Sequence, residues 1–262
     1  MHLEVVIGAA ALAGAYAAAW RAAGERVRPA RVLAFAAGLA ALVGALNGPL
    51  HELAERLVFS AHMTQHLILT LIVPPLVLVG TPPFMMDGLL RPLLARTASR
   101  RVTVVLTRPL PALAAWSIAL VVWHLPGPYA AATGSHAVHF AEHAVFVGAA
   151  TLAWWPVASP SRELPALPYA AQILYMFVFG IPMTIVAAMI TGAEHVLYPI
   201  AAPSLSGPLA DQRLGGVLMW VPAAIVPLVA LTTAFFRWAA AESDDLQETP
   251  GPDRRRPLTL SK

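Results

Sequence analysis

Residues 62–80 read HMTQHLILTLIVPPLVLVG, so two histidines four residues apart open a segment that is otherwise almost pure hydrocarbon. A bilayer core of about 30 Å is crossed by about 20 apolar residues in a helix, and this segment has that character. The rest of the chain decides which side of the membrane His62 and His66 face.

The composition indicates a membrane protein. Of the 262 residues, 58% are hydrophobic and 12% are charged, whereas a soluble domain carries about 25% charged residues. The net charge of +3 is small and does not suggest a nucleic-acid partner. The chain has no cysteine, which excludes disulfides, thiolate metal sites and cysteine nucleophiles.

The hydropathy pattern predicts an all-α polytopic membrane protein with seven transmembrane helices. Helices are the expected form because backbone groups cannot remain unpaired in hydrocarbon. Residues 1–240 are expected to form this domain, and the polar, proline-bearing residues 241–262 a disordered cytoplasmic tail. The predicted spans are residues 3–20, 31–50, 62–84, 109–126, 137–156, 169–191 and 215–237.

The arginines and lysines predict the orientation of these spans. With this span count, all of the 17 except Arg56 and Arg213 fall on one side. The positive-inside rule makes that side cytoplasmic, so the N-terminus is expected outside and the C-terminus in the cytoplasm. An odd number of spans requires opposite ends, so the two observations agree.

All nine histidines then fall on the outer side, and none lies in the arginine-rich connections. We expect His2, His51 and His195 to be interfacial residues without a special role. The remaining histidines stand at the outer ends of three spans; they are His62, His66, His124, His136, His139 and His143.

The histidine spacing predicts a metal site. Residues i and i+4 share a helix face, so His62 pairs with His66, and His139 with His143. Each pair descends about 6 Å from the same surface. Imidazole is a ligand suited to zinc, copper, iron and nickel, and nearby carboxylates such as Glu142 could orient a ligand histidine through its second nitrogen.

Several stretches together resemble the CtaG-like family of polytopic cytochrome c oxidase assembly factors. They are HMTQHLILTLIVPPLVLVGTPP, WHLPGPYAAA, HAVHFAEHAVF with a following WWP, and DQRLGGVLMW, and the resemblance covers about residues 45–238. The positions that match the family motif are His62, Gln65, His66, Pro74, Pro75, His124, Tyr129, His139, Glu142, His143, Asp211, Gln212, Gly215 and Gly216. His51 and His136 belong to it less clearly.

The resemblance implies a multi-pass protein of the bacterial plasma membrane that helps to make active haem–copper oxidase and is associated with copper delivery. Combined with the histidine pattern, it predicts an outward-facing copper site made by His62, His66, His139 and His143, with His124 as a further ligand. Gln65, Tyr129, Glu142, Asp211 and Gln212 would support that site. The expected partners are oxidase subunits, the lipid bilayer and an extracytoplasmic copper donor.

Other functions stay open at this point. A membrane zinc hydrolase would use Glu142 as general base between His139 and His143. A haem-binding electron-transfer protein would use His66 and His143 as axial ligands. Nothing in the sequence excludes a transporter, and the pattern favours an assembly factor over an enzyme only through the resemblance.

Overall fold

A computed structural model describes residues 3–199 and 207–248, with the side chains of residues 244–248 left aside. Every regular element in these ranges is helical, which confirms the all-α prediction. His2 and residues 249–262 of the predicted tail lie outside the described residues, and the last helix continues to Glu248. The helices are α1 Leu3–Ala23, α2 Pro29–Leu46, α3 Pro49–Glu55, α4 Phe59–Leu67, α5 Val73–Gly80, α6 Pro83–Ala95, α7 Thr97–Leu106, α8 Pro109–Trp123, α9 Pro126–Gly134, α10 His136–Ala158, α11 Tyr169–Gly192 and α12 Pro208–Glu248, and a π-helical segment, Ile68–Ile72, joins α4 to α5.

Five to six helical stretches in the described part of the chain are long and apolar enough to cross a membrane. The sixth arises only if α7 and α8, which meet at a bend of 73°, are taken as one span. Seven spans and the orientation of the termini are not confirmed by this count and stay predictions. The five unbroken stretches are Leu3–Ala23, Pro29–Glu55, Phe59–Gly80, Tyr169–Gly192 and Pro208–Ser243.

The predicted third span contains a break directly after its two histidines. Pro74 and Pro75 lack a backbone N–H, so neither an α-helical nor a π-helical bond can reach the carbonyl of Thr70. The helix widens here into the π-helical segment, and the N–H of Val73 bonds to the carbonyl of Ile68. The indole Nε1 of Trp154 on α10 donates to the Thr70 carbonyl at 2.9 Å. The break is thereby satisfied by a neighbouring helix, as a membrane interior requires.

Two adjacent glycines let α12 approach its neighbours closely. A Cβ at Gly215 would collide with the ring of Phe59 on α4, and one at Gly216 would collide with Thr191 on α11. Small residues permit such contacts between helices in lipid, where packing drives helix association. The Gly215–Gly216 pair therefore fixes how α12 lies against the helix that carries His62 and His66.

The core lies between α4, α8, α10, α11 and α12, and its largest buried side chains are aromatic. Trp116 stacks on Phe179 with ring centroids 5.8 Å apart, and Phe146 contacts the ring of His66 at 4.6 Å. Outward-facing apolar side chains are left exposed, as Leu110 at 77% and Leu174 at 67% illustrate. An apolar exterior of this kind suits a lipid environment better than water.

Candidate metal centre

A buried group of four metal-ligating side chains lies between α4 and α10. His62 and His66 come from α4, and Glu142 and His143 come from α10. Among the described residues these four can each offer one ligand atom such that all the atoms lie within 4.8 Å of one another. We call them the inner site.

The inner site is almost completely shielded from solvent. The exposed fraction is 0% for Glu142, 1% for His62, 5% for His66 and 7% for His143. Glu142 lies between the two histidines of α4, with Oε2 3.5 Å from His62 Nε2 and Oε1 3.8 Å from His66 Nε2. Burial of a carboxylate costs free energy unless the carboxylate is paired or coordinates a metal. The charge of Glu142 therefore depends on the two imidazoles of His62 and His66 beside it.

The polar side-chain atoms of His62, His66 and Glu142 are not engaged in the hydrogen bonds that burial normally demands. Within the described residues, both ring nitrogens of His62 and His66 and both carboxylate oxygens of Glu142 make no hydrogen bond. The distances from Glu142 to the two imidazoles exceed the usual range of about 2.7–3.2 Å. Ligands of one metal ion at about 2.0–2.1 Å stand roughly 3.3 Å apart in tetrahedral geometry, so a small closure would let the group hold an ion.

Two further histidines border the inner site. The ring of His139 lies 5.1 Å from that of His62 and 4.3 Å from that of His143. The ring of His124 lies 6.1 Å from that of His66. The predicted HxxxH pairs of α4 and α10 thus face each other, and all five histidines predicted as ligands lie in one neighbourhood.

His124 is held with a nitrogen available to a metal. Its Nδ1 lies 2.7 Å from the carbonyl of Leu120, one turn earlier. A carbonyl only accepts, so Nδ1 carries the proton and Nε2 keeps its lone pair. Metal-binding histidines commonly donate their second nitrogen to a carbonyl in this way. His124 is therefore oriented by its own helix.

The phenol of Tyr198 clamps the backbone at His124. Its hydroxyl donates to the His124 carbonyl at 2.8 Å, and the side chain is 5% exposed. Burial raises the pKa of this phenol to about 12, so it stays protonated and remains a donor. Tyr129, which is 1% exposed, packs between Tyr198 and the ring of His62 and forms a wall of the inner site.

Gln65 connects the histidine helix to His51 on α3. Its Nε2 lies 2.8 Å from the Ala45 carbonyl and 2.9 Å from His51 Nδ1. The carbonyl fixes this atom as the amide nitrogen, so His51 Nδ1 accepts and the remaining proton lies on Nε2. That nitrogen is 3.2 Å from Glu55 Oε1. Gln65 thus orients His51 and does not belong to the group of four.

Asp211 and Gln212 hold the frame of the site from α12. Asp211 accepts from the N–H of Phe59 at 2.7 Å, from the N–H of Ser60 at 3.3 Å and from the Ser60 hydroxyl at 2.5 Å. It is a capping carboxylate for α4, supplied by a distant helix. Gln212 accepts from the N–H of Leu197 at 2.7 Å and donates to the His195 carbonyl at 3.2 Å, which secures the loop that carries Tyr198.

The sequence left Glu142 as a residue that orients a ligand histidine or as a general base. The structure places its two oxygens 3.5 Å from His62 Nε2 and 3.8 Å from His66 Nε2, and both roles stay predictions. His51 was expected to be an interfacial residue, yet it is 5% exposed and hydrogen-bonded to Gln65.

Trp154 was not predicted as a partner of Thr70. The only sequence signal for it was the unpaired carbonyl that Pro74 and Pro75 must leave behind.

The comparison with protein families identifies the group to which this chain is related. Residues 14–241 match the family described as cytochrome c oxidase caa3 assembly factor. The chain belongs to this family. The match covers α2 to α11 completely and includes every residue of the inner site, so it confirms the resemblance seen in the sequence.

Two similar mycobacterial proteins are longer than this chain. Uncharacterized proteins of Mycobacterium bovis and Mycobacterium tuberculosis are each 26% identical over an alignment of 265 positions that covers 91% of this chain. The chain spans 39% of the length of these relatives. No solved structure matches the chain.

Proposed function

We propose that this caa3-type assembly factor binds copper at the inner site and passes it to a subunit of a haem–copper oxidase. The observation that carries the proposal is the convergence of His62, His66, Glu142 and His143 within 4.8 Å, in a chain whose family assembles cytochrome c oxidase. The same proposal makes the protein a carrier and not an enzyme.

The ligand chemistry supports copper as the cargo. Imidazole and carboxylate bind copper strongly, but soft thiolates are absent because the chain has no cysteine, and thiolates are the ligands that select and retain Cu(I). A histidine site of this kind can release copper to another set of imidazoles. His124 and His139 lie close enough to serve as exchange ligands during that transfer.

We further propose seven membrane spans, with α10 as a span in addition to the five to six long apolar stretches. This helix has 23 residues, or about 35 Å, which is long enough to cross a bilayer. Its first two turns carry His136, His139, Glu142 and His143, and these lower its mean hydropathy. With the N-terminus outside, the inner site opens to the extracytoplasmic side of a bacterial plasma membrane, where a copper donor would reach it.

Copper titration of the purified protein tests the proposal. The protein in detergent is loaded anaerobically with Cu(I) against a competing chelator. We expect tight copper binding that the double variant H66A/H143A loses, while H195A retains it. His195 is an exposed outer histidine whose carbonyl, not its ring, accepts from Gln212. Equal copper binding by all three proteins would place copper elsewhere and overturn the proposal.

A zinc hydrolase is the second candidate, because residues 139–143 read HFAEH. The spacing H-x-x-E-H occurs in one class of zinc peptidases, where the glutamate is the general base. Here Glu142 lies among the histidines, as such a base would. Zinc at one ion per purified chain, with hydrolysis of a phospholipid or peptide abolished by E142Q, would favour this function over copper delivery.

The haem alternative receives no support from the geometry. The rings of His66 and His143 meet edge to face, with centroids 5.4 Å apart and an angle of 86° between their planes. Axial ligands must instead approach an iron from opposite sides of a flat macrocycle. Absence of a Soret band from the purified protein would agree with this geometry.

A further inference from the structure

The helix α7, Thr97–Leu106, carries its apolar and its basic side chains on different sides. Val102, Val105 and Leu106 are all exposed, with Val102 at 58%. At about 100° per residue, these three form a stripe about 100° wide. Arg100 lies on the opposite side from Val102, since two residues turn a helix by about 200°, and none of the ten residues is buried. This division is typical of a helix that lies at a membrane surface.

The angle between α7 and α8 decides how α7 lies against the membrane. The two helices meet at a bend of 73°, so with α8 as one of the seven proposed spans, α7 runs close to the membrane plane. Because the bend is below a right angle, α7 descends toward the membrane along its length, and its first turn, with Ala98, lies nearest the water. The Ser99 hydroxyl donates to the Leu93 carbonyl at 2.6 Å and ties α7 to the end of α6.

The charge around α7 is positive and unneutralised. Between Asp87 and Glu142 the chain has no acidic residue, and Asp87 already accepts from the Ser161 hydroxyl at 2.7 Å and from the Arg162 N–H at 3.1 Å. Four exposed arginines lie in this stretch, and within the described residues their guanidinium groups make no hydrogen bond or ion pair; they are Arg96, Arg100, Arg101 and Arg108.

The two kinds of side chain together fit an anionic phospholipid. A guanidinium group binds phosphate through two parallel hydrogen bonds, and clusters of basic residues beside a membrane span attract anionic lipids. The acyl chains below such a phosphate would cover Val102, Val105 and Leu106. An acidic protein segment would neutralise the arginines, but it would bring no hydrocarbon to the apolar stripe at the level where α8 enters the membrane.

We propose that α7 lies in the membrane plane and binds anionic phospholipids. The headgroup phosphates contact the four arginines, and the acyl chains pack against the apolar stripe. With the predicted orientation, this is the cytoplasmic leaflet. Neither the inner site nor its metal takes part, so the surface acts in the same way whichever ion the site holds.

Lipid selectivity tests the charged side of this surface. The full-length protein is reconstituted into phosphatidylcholine vesicles, and its association with spin-labelled phosphatidylglycerol is compared with that of spin-labelled phosphatidylcholine. We expect the wild type to prefer phosphatidylglycerol by about twofold or more, because each arginine near the surface attracts the anionic headgroup. R100Q/R101Q should lose most of this preference, and added salt should weaken it in the wild type.

The matched control is R26Q/R28Q, which removes the same charge from two exposed arginines in the connection between α1 and α2. This connection has no helix and no apolar stripe, so the control should keep most of the preference. An equal loss in both double variants would mean that total charge alone attracts the lipid, and it would overturn the proposal. A wild type without any preference for phosphatidylglycerol would overturn it as well.

The depth of α7 tests its apolar side. The chain has no cysteine, so V102C and R100C each place a single nitroxide label on an exposed position of the reconstituted protein. We expect oxygen, which concentrates in hydrocarbon, to relax the label at V102C more than a water-soluble nickel complex does, and the reverse at R100C. Nickel dominance at both positions would place α7 in water, and oxygen dominance at both would place it inside the bilayer. Either result would overturn the proposal.

Discussion

Asp211 shows how a single residue holds the site in place without belonging to it. Its carboxylate accepts hydrogen bonds from Phe59 N–H, Ser60 N–H and the Ser60 hydroxyl, across more than 150 residues of chain. We expect D211A to destabilise the protein by about 1–2 kcal/mol, because the first turn of α4 loses its cap. Thermal unfolding in detergent measures the effect.

The matched variant is D211N, which keeps one oxygen acceptor at the same position. It should retain more of the stability than D211A, since asparagine is also a good capping residue. Copper affinity in D211A should fall less than in H66A/H143A, because Asp211 acts only through the placement of α4. An unfolding temperature for D211A equal to that of the wild type would contradict the capping role.

The sequence predicted much of the histidine arrangement. The i, i+4 spacing of His62 with His66, and of His139 with His143, placed each pair on one face of its helix. The place of Glu142 could not be read in this way. Whether a carboxylate beside a ligand histidine points at that histidine or across to another helix depends on tertiary packing, which spacing does not encode.

Among the helices, the π-helical segment depends on one partner outside its own span. Trp154 Nε1 donates to the Thr70 carbonyl, and Thr70 is 1% exposed. We expect W154F to cost about 1–3 kcal/mol, because it leaves a buried acceptor unsatisfied. The free energy or temperature of unfolding in detergent, compared with that of the wild type, checks this value.

The neighbouring tryptophan provides the control. Trp155 Nε1 donates at 3.0 Å to the carbonyl of Leu164, in a part-buried connection outside the helix break. W155F should therefore cost less than W154F, since the Ser159 hydroxyl also donates to the Leu164 carbonyl, at 2.7 Å, and keeps it satisfied. A larger loss in W155F would mean that the aromatic volume, and not the Thr70 bond, is what stabilises the helix pair.

The prolines predict the break in the helix, but they do not predict which group donates a hydrogen bond to the unpaired carbonyl. Pro74 and Pro75 are visible in the sequence, and their missing N–H groups predict unpaired carbonyls. That a tryptophan 84 residues away supplies the donor follows from the packing of α10 on the π-helical segment. Long-range contacts of this kind are the part of the fold that periodicity cannot predict.

For the whole molecule, the span count depends on how polar residues are distributed along α10. The mean hydropathy of this helix is lowered by its three histidines and by Glu142, and two of these residues, Glu142 and His143, are turned inward. Intramembrane ionisable residues usually face the interior of a bundle. The same residues that make α10 chemically interesting therefore remove it from the count of apolar helices, and the predicted total of seven needs a direct test.

The absence of cysteine makes that test simple. Single substitutions S135C and A98C place a thiol at exposed positions, one just before α10 and one in the arginine-rich segment of α7. With the N-terminus outside and α10 inserted, a membrane-impermeant maleimide should label S135C in intact cells. It should label A98C only after the membrane is permeabilised. The cysteine-free parent protein is the control for background labelling.

The labelling pattern distinguishes the possible topologies because α8 lies between the two positions. Opposite accessibility requires that α8 crosses the membrane, although its 15 residues are short for a span. Labelling of S135C in intact cells also puts the start of α10 on the outer side, together with the cavity of about 290 Å³ that His136 lines with Glu55, His62 and His139. Protection of S135C in intact cells, together with labelling of A98C, would indicate the opposite orientation in the membrane. The proposed metal site would then open to the cytoplasm.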